Sequence, residues 1–489
     1  MNLVFLSVCV LLSIVMSQIR PSWMEMETHW VLITFMCACL VPAWRWSISK
    51  RREAIPFAPA VGLFYFLWFG YAAYADSDLY ATVAISDLTT ETAIVVFWAV
   101  VASALGWRVA LIGRKQSDSS EELDSNNSRL SGESASSHDV KSSITKIGIS
   151  ALGFLVVLRL TDTLSLFPGS IQQLLIYVET FTRALAAYAL ATRGKDSWFF
   201  IALGVLGLDL LLALNTGSLY HVVTRVMLIG IVFTSVSRSL RPLIALVVVG
   251  TLVFVSLQTV KFYFRAQVWD SEISLENVSE LDKLQIWQEG IERKFSADNS
   301  SEGELLDSAS ARASAIALFE HVRRLCPAVV PFRDGETLIG GLVGIIPRAL
   351  WPDKPKSSFG HEFGHEFAII GPTDRTTAIN VSWLADWYWN FGDLGVIFGM
   401  FLTGLLLGCV DRVYNAVSMD PFDLAVGLSL IWPQLIIQES NWAMSFGGLP
   451  LMILFYLALR RWYMRTTLDA AVKTERLQRR RRPLRAIGS

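Results

Sequence analysis

The stretch WFFIALGVLGLDLLLAL, Trp198 to Leu214, decides the fold, because one charged residue, Asp209, interrupts an otherwise apolar run of membrane-spanning length. Its apolar residues are continuous and do not alternate. A bilayer offers backbone polar groups no water, so only helices or closed barrels cross it, and a continuous run selects the helix. Comparable runs lie on both sides: Asn2 to Gln18, Trp30 to Trp46, Pro56 to Ala75, Ala93 to Ile112, Ile147 to Phe167 and Leu174 to Ala191 before it. Val222 to Val236, Leu243 to Val260, Gly395 to Val410, Phe422 to Ile437 and Gly448 to Leu459 follow. The expectation is an all-α polytopic membrane protein of about twelve transmembrane helices. Composition agrees: 53% of the 489 residues are hydrophobic and 17% charged, against about 25% charged in soluble domains.

The net charge of -1 hides an uneven distribution. Lys50-Arg51-Arg52, Arg114-Lys115, Arg193 with Lys195, Arg238 with Arg241, Arg412 and Arg479 to Arg482 all fall on one set of alternate loops. The opposite loops Asp76 to Glu91 and Gln438 to Gly447 have no Lys or Arg. The positive-inside rule makes the basic side cytoplasmic and predicts both termini there, with the first run retained because it lacks a basic signal-peptide n-region. This divides the chain into spans one to four (1–112), a polar, disordered cytoplasmic linker (113–146), spans five to nine (147–260), a large external loop (261–391), spans ten to twelve (392–465) and a basic tail (466–489). The tail suits anionic lipid headgroups better than nucleic acid. Cys9, Cys37, Cys39 and Cys409 lie in apolar runs and Cys326 is alone in the loop, so no disulfide framework or CxxC metal site is implied.

A loop of this length is expected to be functional. Leu281, Leu284, Trp287, Ile291 and Phe295 recur at helical spacing, and Glu304 to Leu325 reads as a second helix ending before Pro327. The densest chemistry is IPRALWPDKPK, Ile346 to Lys356. Three prolines stiffen it and leave Arg348, Lys354 and Lys356 projecting around Trp351, a way to hold a phosphate beside a sugar face or to form a basic interfacial turn. Gly360 to Phe367 is a tandem GHEF repeat that contains HExxH. In a metallopeptidase that spacing puts two His ligands on one helix face. Two glycines and the preceding prolines argue against a helix, and Glu366 after the second His is unusual, so no metal is expected. The aromatic run Trp383 to Phe391 fits a sugar-stacking platform, with Trp387 at its centre, or an interfacial belt. Within the spans, Arg159 with Asp162 and Glu179 with Arg183 can pair along a helix, with a structural ion pair between the fifth and sixth spans the preferred reading and Asp209 expected to meet Arg183.

IPRALWPDKP, the preceding Gly335-Glu336-Thr337 and the later Asn390-Phe391-Gly392 give Ala311 to Gly408 a pattern that resembles the Wzy-type polymerases of bacterial surface polysaccharides. Those enzymes usually carry a Glu just before Asn-Phe-Gly, where this chain has Asp386 nearby. The resemblance implies a lipid-dependent, GT-C-like glycosyltransferase of the inner membrane. It would move an oligosaccharide from undecaprenyl diphosphate onto another lipid-linked repeat unit, with no cofactor or metal, beside a flippase and a chain-length regulator. Such transfer needs cations at the departing diphosphate and a base at the acceptor hydroxyl. Arg348, Lys354, Arg312, Arg265 and Arg375 are the expected cations, with Lys356, Trp351 and Trp387 at the substrate. His361, His365, a neighbouring Glu or Asp386 is the expected base. An O-antigen ligase uses the same donor with another acceptor. A transporter is the more distant rival, since no internal repeat is visible.

Overall fold

The computed structural model describes residues 3–49, 55–75, 83–112, 133–161, 163–167, 169–215, 219–268, 280–296, 314–342, 351, 359–375, 377–415, 420–436, 440–463 and 465. Their regular elements are helices. The amino-terminal group is α1 (Leu3–Gln18), α2 (Met26–Ile48), α3 (Phe57–Tyr65), prolonged by a π turn and a 3-10 turn to Tyr74, and α4 (Thr90–Leu111). A second group is α5 (Glu133–Leu160), α6 (Gly169–Thr192), α7 (Ser197–Leu214), α8 (Leu219–Ser237) and α9 (Arg241–Val268). The stretch that follows supplies α10 (Glu280–Ser296), α11 (Ala315–Leu325), α12 (Glu336–Leu342) and α13 (Gly360–Glu366). The chain closes with α14 (Trp383–Tyr414), α15 (Pro421–Ile436) and α16 (Trp442–Tyr463).

All twelve apolar runs are therefore helical. Eight segments are long and apolar enough to cross a membrane: α2, α3 with its prolongation, α4, 141–160 of α5, 174–192 of α6, α7, α14 and α16. Helices α1 and α8 and the first part of α9 are apolar over shorter stretches, and α15 has 16 residues. Exposed apolar side chains such as Leu3, Trp98, Phe200 and Ile244 suit a lipid surround. The expected linker needs correction at one end. Helix α5 begins at Glu133, inside the segment read as disordered, because extending a helix already nucleated in an apolar span costs little; 113–132 lies outside the described residues.

Helices α4 and α14 run against each other at backbone distance. A Cβ on Gly404 would stand 1.9 Å from the Ser103 carbonyl oxygen, and one on Gly106 would stand 2.0 Å from that of Phe401. This is small-residue packing, suited to a solvent where burial of apolar surface supplies no drive. Polar contacts fix the end of the pair where α4 finishes: Trp107 Nε1 donates to Asp411 (2.8 Å) and Arg412 donates to the Ala110 and Ile112 carbonyls (3.2 and 3.3 Å). Helices α5 to α8 meet around a charged cluster. Arg159 donates to Glu179 (2.6 Å), Arg183 Nε donates to Asp209 (2.7 Å), and Arg225 donates to the Asp209 main-chain carbonyl (2.6 Å). The ion pair between the fifth and sixth expected spans and the Asp209–Arg183 contact are both present. Glu179 and Arg183, on one helix, are 3.7 Å apart, and Asp162 lies outside the described residues.

Helix α10 packs against α9, and α11 packs against α4 and α14. Helix α10 forms as expected, and of its expected stripe Trp287 is buried, stacked on Phe264 at 5.2 Å with its Nε1 donating to Leu214 O (3.0 Å). Ile291 is exposed, and the side chains of Leu281 and Phe295 lie outside the described residues. Helix α11 occupies the carboxyl-terminal half of the second expected helix, and 297–313 lies outside the described residues. Buried Glu320 of α11 accepts from Thr89 N and Oγ1 (3.0 and 2.8 Å) at the start of α4. Arg323 pairs with Asp393 (3.1 Å) and donates to Thr92 Oγ1 (2.6 Å).

Candidate functional site

Helix α14 is two helices joined at a corner. Gly392 has φ 68° and ψ −162°, which a residue with a Cβ adopts only with strain. Trp387 lies against Gly399, where a Cβ would meet its ring at 2.0 Å. Twelve residues of unbroken helix would separate the two by about 18 Å. The 383–391 segment therefore folds back over the start of the following segment.

That fold-back brings together two of the motifs singled out in the sequence. Asn390 Oδ1 accepts from Gly335 N (2.8 Å), while its Nδ2 donates to Thr337 Oγ1 (2.5 Å) and to the Asp386 carbonyl (2.7 Å). Thr337 Oγ1 donates to Asp386 Oδ1 (2.6 Å), and Trp442 N donates to Asp386 Oδ2 (2.7 Å). Gly335, with φ +92°, sits at a turn where Phe391 closes over it. Gly335-Glu336-Thr337 and Asn390-Phe391-Gly392 thus form one knot, from which α12 leads toward the proline-rich segment. Asp386 is fully enclosed and both its oxygens are engaged. Among the described residues this is a positioning role, holding α12 and α16, in place of the expected role as base.

The aromatic run requires a similar correction. Trp383, Trp387, Tyr388 and Trp389 are buried, leaving Phe391 as the exposed ring among them. Trp387 is occupied by Gly399 and Trp442 and is not offered as a stacking platform. The run instead forms the core on which α11 and α13 pack.

Trp389 carries one face of the candidate site. Arg333 lies over its ring at 4.9 Å, and Arg333 N donates to Trp389 O (2.9 Å). The Arg333 guanidinium also reaches Glu336 (2.8 Å), Glu362 (2.5 Å) and Glu366. Desolvation works against the charge on Arg333, but the hydrogen bonds it donates to Glu336 and Glu362 and the field of Glu366 hold its pKa above the ordinary value. Desolvation pushes the Glu366 carboxyl up; Arg333 opposes this and Glu362 and Glu336 add to it. An open cleft of about 540 Å³ lies here, lined in part by Phe332, Arg333, Asp334, Glu336 and Glu366.

The tandem GHEF repeat is a helix after all, α13, against the expectation of irregular backbone. Its period of four puts like residues on like faces. Phe363 and Phe367 pack edge-on to Trp389, both at 5.5 Å. Glu362 and Glu366 face Arg333, and His361 and His365 lie together with Nε2 atoms 3.2 Å apart. Burial of the Phe pair outweighs the helix penalty of the glycines. Glu362, which would be the base of a HExxH peptidase, points away from the histidines. Arg333 escaped the sequence reading because, apart from Glu336, its carboxylate partners are 29 and 33 residues downstream; the four-residue period of GHEFGHEF was the available signal.

Of the other expected residues, Trp351 is exposed and Arg375 is exposed in the irregular stretch between α13 and α14. Arg265 is in α9, with its side chain outside the description. Arg312, Arg348, Lys354 and Lys356 lie outside the described residues. Residues 127–415, 289 of the 489, match the family described as a domain of unknown function, DUF8712. The chain belongs to this family. The DUF8712 segment runs from before α5 to just past the end of α14, so it contains the charged cluster, α10 to α13 and the fold-back, while α4, against which α14 packs, lies outside it. No curated protein and no solved structure matches the chain.

Proposed function

We propose that this DUF8712 protein is a polymerase of lipid-linked oligosaccharides, of the Wzy type, in the cytoplasmic membrane of a bacterium. Twelve spans, both termini inside and 261–391 outside complete the reading. The observation that carries it is the knot of Gly335, Thr337, Asp386 and Asn390. Two motifs that suggested the resemblance, far apart in sequence, meet there and bracket the stiff cationic segment 346–356. Donor and acceptor would be undecaprenyl-diphosphate-linked oligosaccharides, approached from the membrane surface.

In this reading Arg348, assisted by Lys354, holds the departing diphosphate while an acceptor hydroxyl attacks the anomeric carbon. The proton passes to a base beside the cleft. His361 and Glu366 have the access that Asp386 lacks. A single displacement inverts the anomeric centre, so a retained configuration would reject the one-step mechanism.

The test uses a deletion strain complemented with wild type or Arg348→Ala at equal membrane abundance, with polysaccharide length read on a gel. Loss of long chains and accumulation of single lipid-linked units in both the deletion and the Arg348→Ala strain supports polymerisation. Unchanged chain length in the deletion rejects it. Full-length polymer left on its lipid would identify a ligase instead.

A further inference from the structure

The geometry points to a divalent transition-metal site, best suited to Zn²⁺, formed by His361 Nε2, His365 Nε2 and the main-chain carbonyl of Asp374. With the ion bound, His361 Nε2 is a ligand and Glu366 is left as the base of the polymerase reading; the site rests on no other part of that reading.

The two imidazoles stand one helical turn apart on α13 with their Nε2 atoms separated by 3.2 Å. Zinc binds imidazole at about 2.0–2.1 Å, so donors at this separation subtend about 100° at a shared ion, near the tetrahedral angle. The Asp374 carbonyl oxygen is 2.9 Å from His365 Nε2, close enough for the two to share an ion. His361 Nδ1 is 2.9 Å from Thr377 O. A carbonyl only accepts, so Nδ1 carries the proton and Nε2 keeps its lone pair for a ligand. A carbonyl behind a ligating imidazole is the usual outer support that fixes its tautomer. His361 is exposed, giving an ion access from solvent.

Among the described residues no group of three or more His, Cys, Asp or Glu side chains is placed for a metal. The site therefore has two side-chain donors and one main-chain donor, with water completing the shell. Glu362 is committed to Arg333, so the ion would have no adjacent carboxylate base. Its effect is structural. It ties the stretch that carries Asp374, Arg375 and Thr377 to α13, and so holds the Phe363 and Phe367 face on Trp389 and the Glu362 and Glu366 face on Arg333. The competing arrangement is a metal-free pair in which His365 Nε2–H is shared between His361 Nε2 and the Asp374 carbonyl.

The experiment uses full-length protein without a His tag, purified in detergent and treated with chelator. Co²⁺ is titrated as the spectroscopic probe and then displaced by Zn²⁺. Wild type should take up one equivalent that His361→Ala/His365→Ala does not, with each single variant weakened by at least an order of magnitude. Glu366→Gln, altered on the neighbouring face, should bind like wild type. Trypsin supplies a second readout. Zn²⁺ should slow cleavage after the exposed Arg375 several-fold in wild type and leave it unchanged in the double variant. If the double variant loses its monodisperse elution profile, His361→Gln with the trypsin readout decides. Uptake equal in wild type and the histidine variants, or none in wild type, overturns the site in favour of the hydrogen-bonded pair.

Discussion

Glu366 is the residue at which electrostatics in the cleft around Arg333 can be measured. Its folded-state pKa is raised, so the folded chain binds this proton more tightly than the unfolded chain does. The resulting stability is fully present below the unfolded value, near 4.5, and is lost as pH rises through the folded value. Glu366→Gln removes the titration and leaves Glu336 and Glu362 on Arg333. The melting temperature of the variant relative to wild type should therefore improve between pH 4 and pH 7.5, by a degree or two at this half-exposed site. A relative melting temperature that falls over that interval would mean that Arg333 dominates and the carboxylate is stabilised by folding. None of this could be read from Glu366 alone. Its identity suggested a base, but its environment comes from Arg333, which no local pattern joins to it.

Among the elements, the α4–α14 pair has the least tolerance. Gly404 and Gly408 form a GxxxG pattern, and added Cβ atoms there would stand 1.9 Å from Ser103 O and 2.7 Å from the Ala110 Cβ. Backbone cannot yield as a side-chain tip can, so Gly404→Leu should destabilise by at least the ~1–3 kcal/mol of an overpacked core. Gly194→Leu, at a glycine with no atom within 4 Å of the added Cβ, is the control and should melt with wild type. The check is thermal unfolding in one detergent; equal losses for the two variants would mean that the close approach is absent. Element existence was legible here, because apolar runs of this length have no folded alternative in lipid. Element shape was not. The corner at Gly392 depends on Trp387 finding Gly399, a contact between residues on either side of the break. Helix α13, with two glycines, forms because Trp389 waits for its Phe pair. Both are tertiary effects that override local propensity, and both changed the site: one enclosed Asp386 and the other paired the histidines.

At the scale of the whole molecule, two charged groups stand out among the described residues: the acidic cleft around Arg333 and the cluster that joins four helices. The sequence separated these by hydropathy and found Asp209 and Arg183 as partners, since an intramembrane charge must pair with what is near in depth. It did not identify Arg225, whose contact with Asp209 is partly through the main chain. Asp209 is the centre: Arg183 at 2.7 Å, Arg225 at 3.5 Å and Arg159 at 3.7 Å all approach its carboxylate. Asp209→Asn keeps the shape and leaves these three guanidiniums with Glu179 as their carboxylate among the described residues. Breaking a buried pair from one side costs about 3–5 kcal/mol, because the remaining charge stays desolvated. The variant should therefore show a large drop in melting temperature in detergent. Asp209→Asn/Arg183→Gln should recover part of it, since one uncompensated cation is then removed along with the carboxylate. If the two losses instead add, Arg183 is stabilised independently of Asp209. The four helices would then be held by apolar packing, with the charges as passengers.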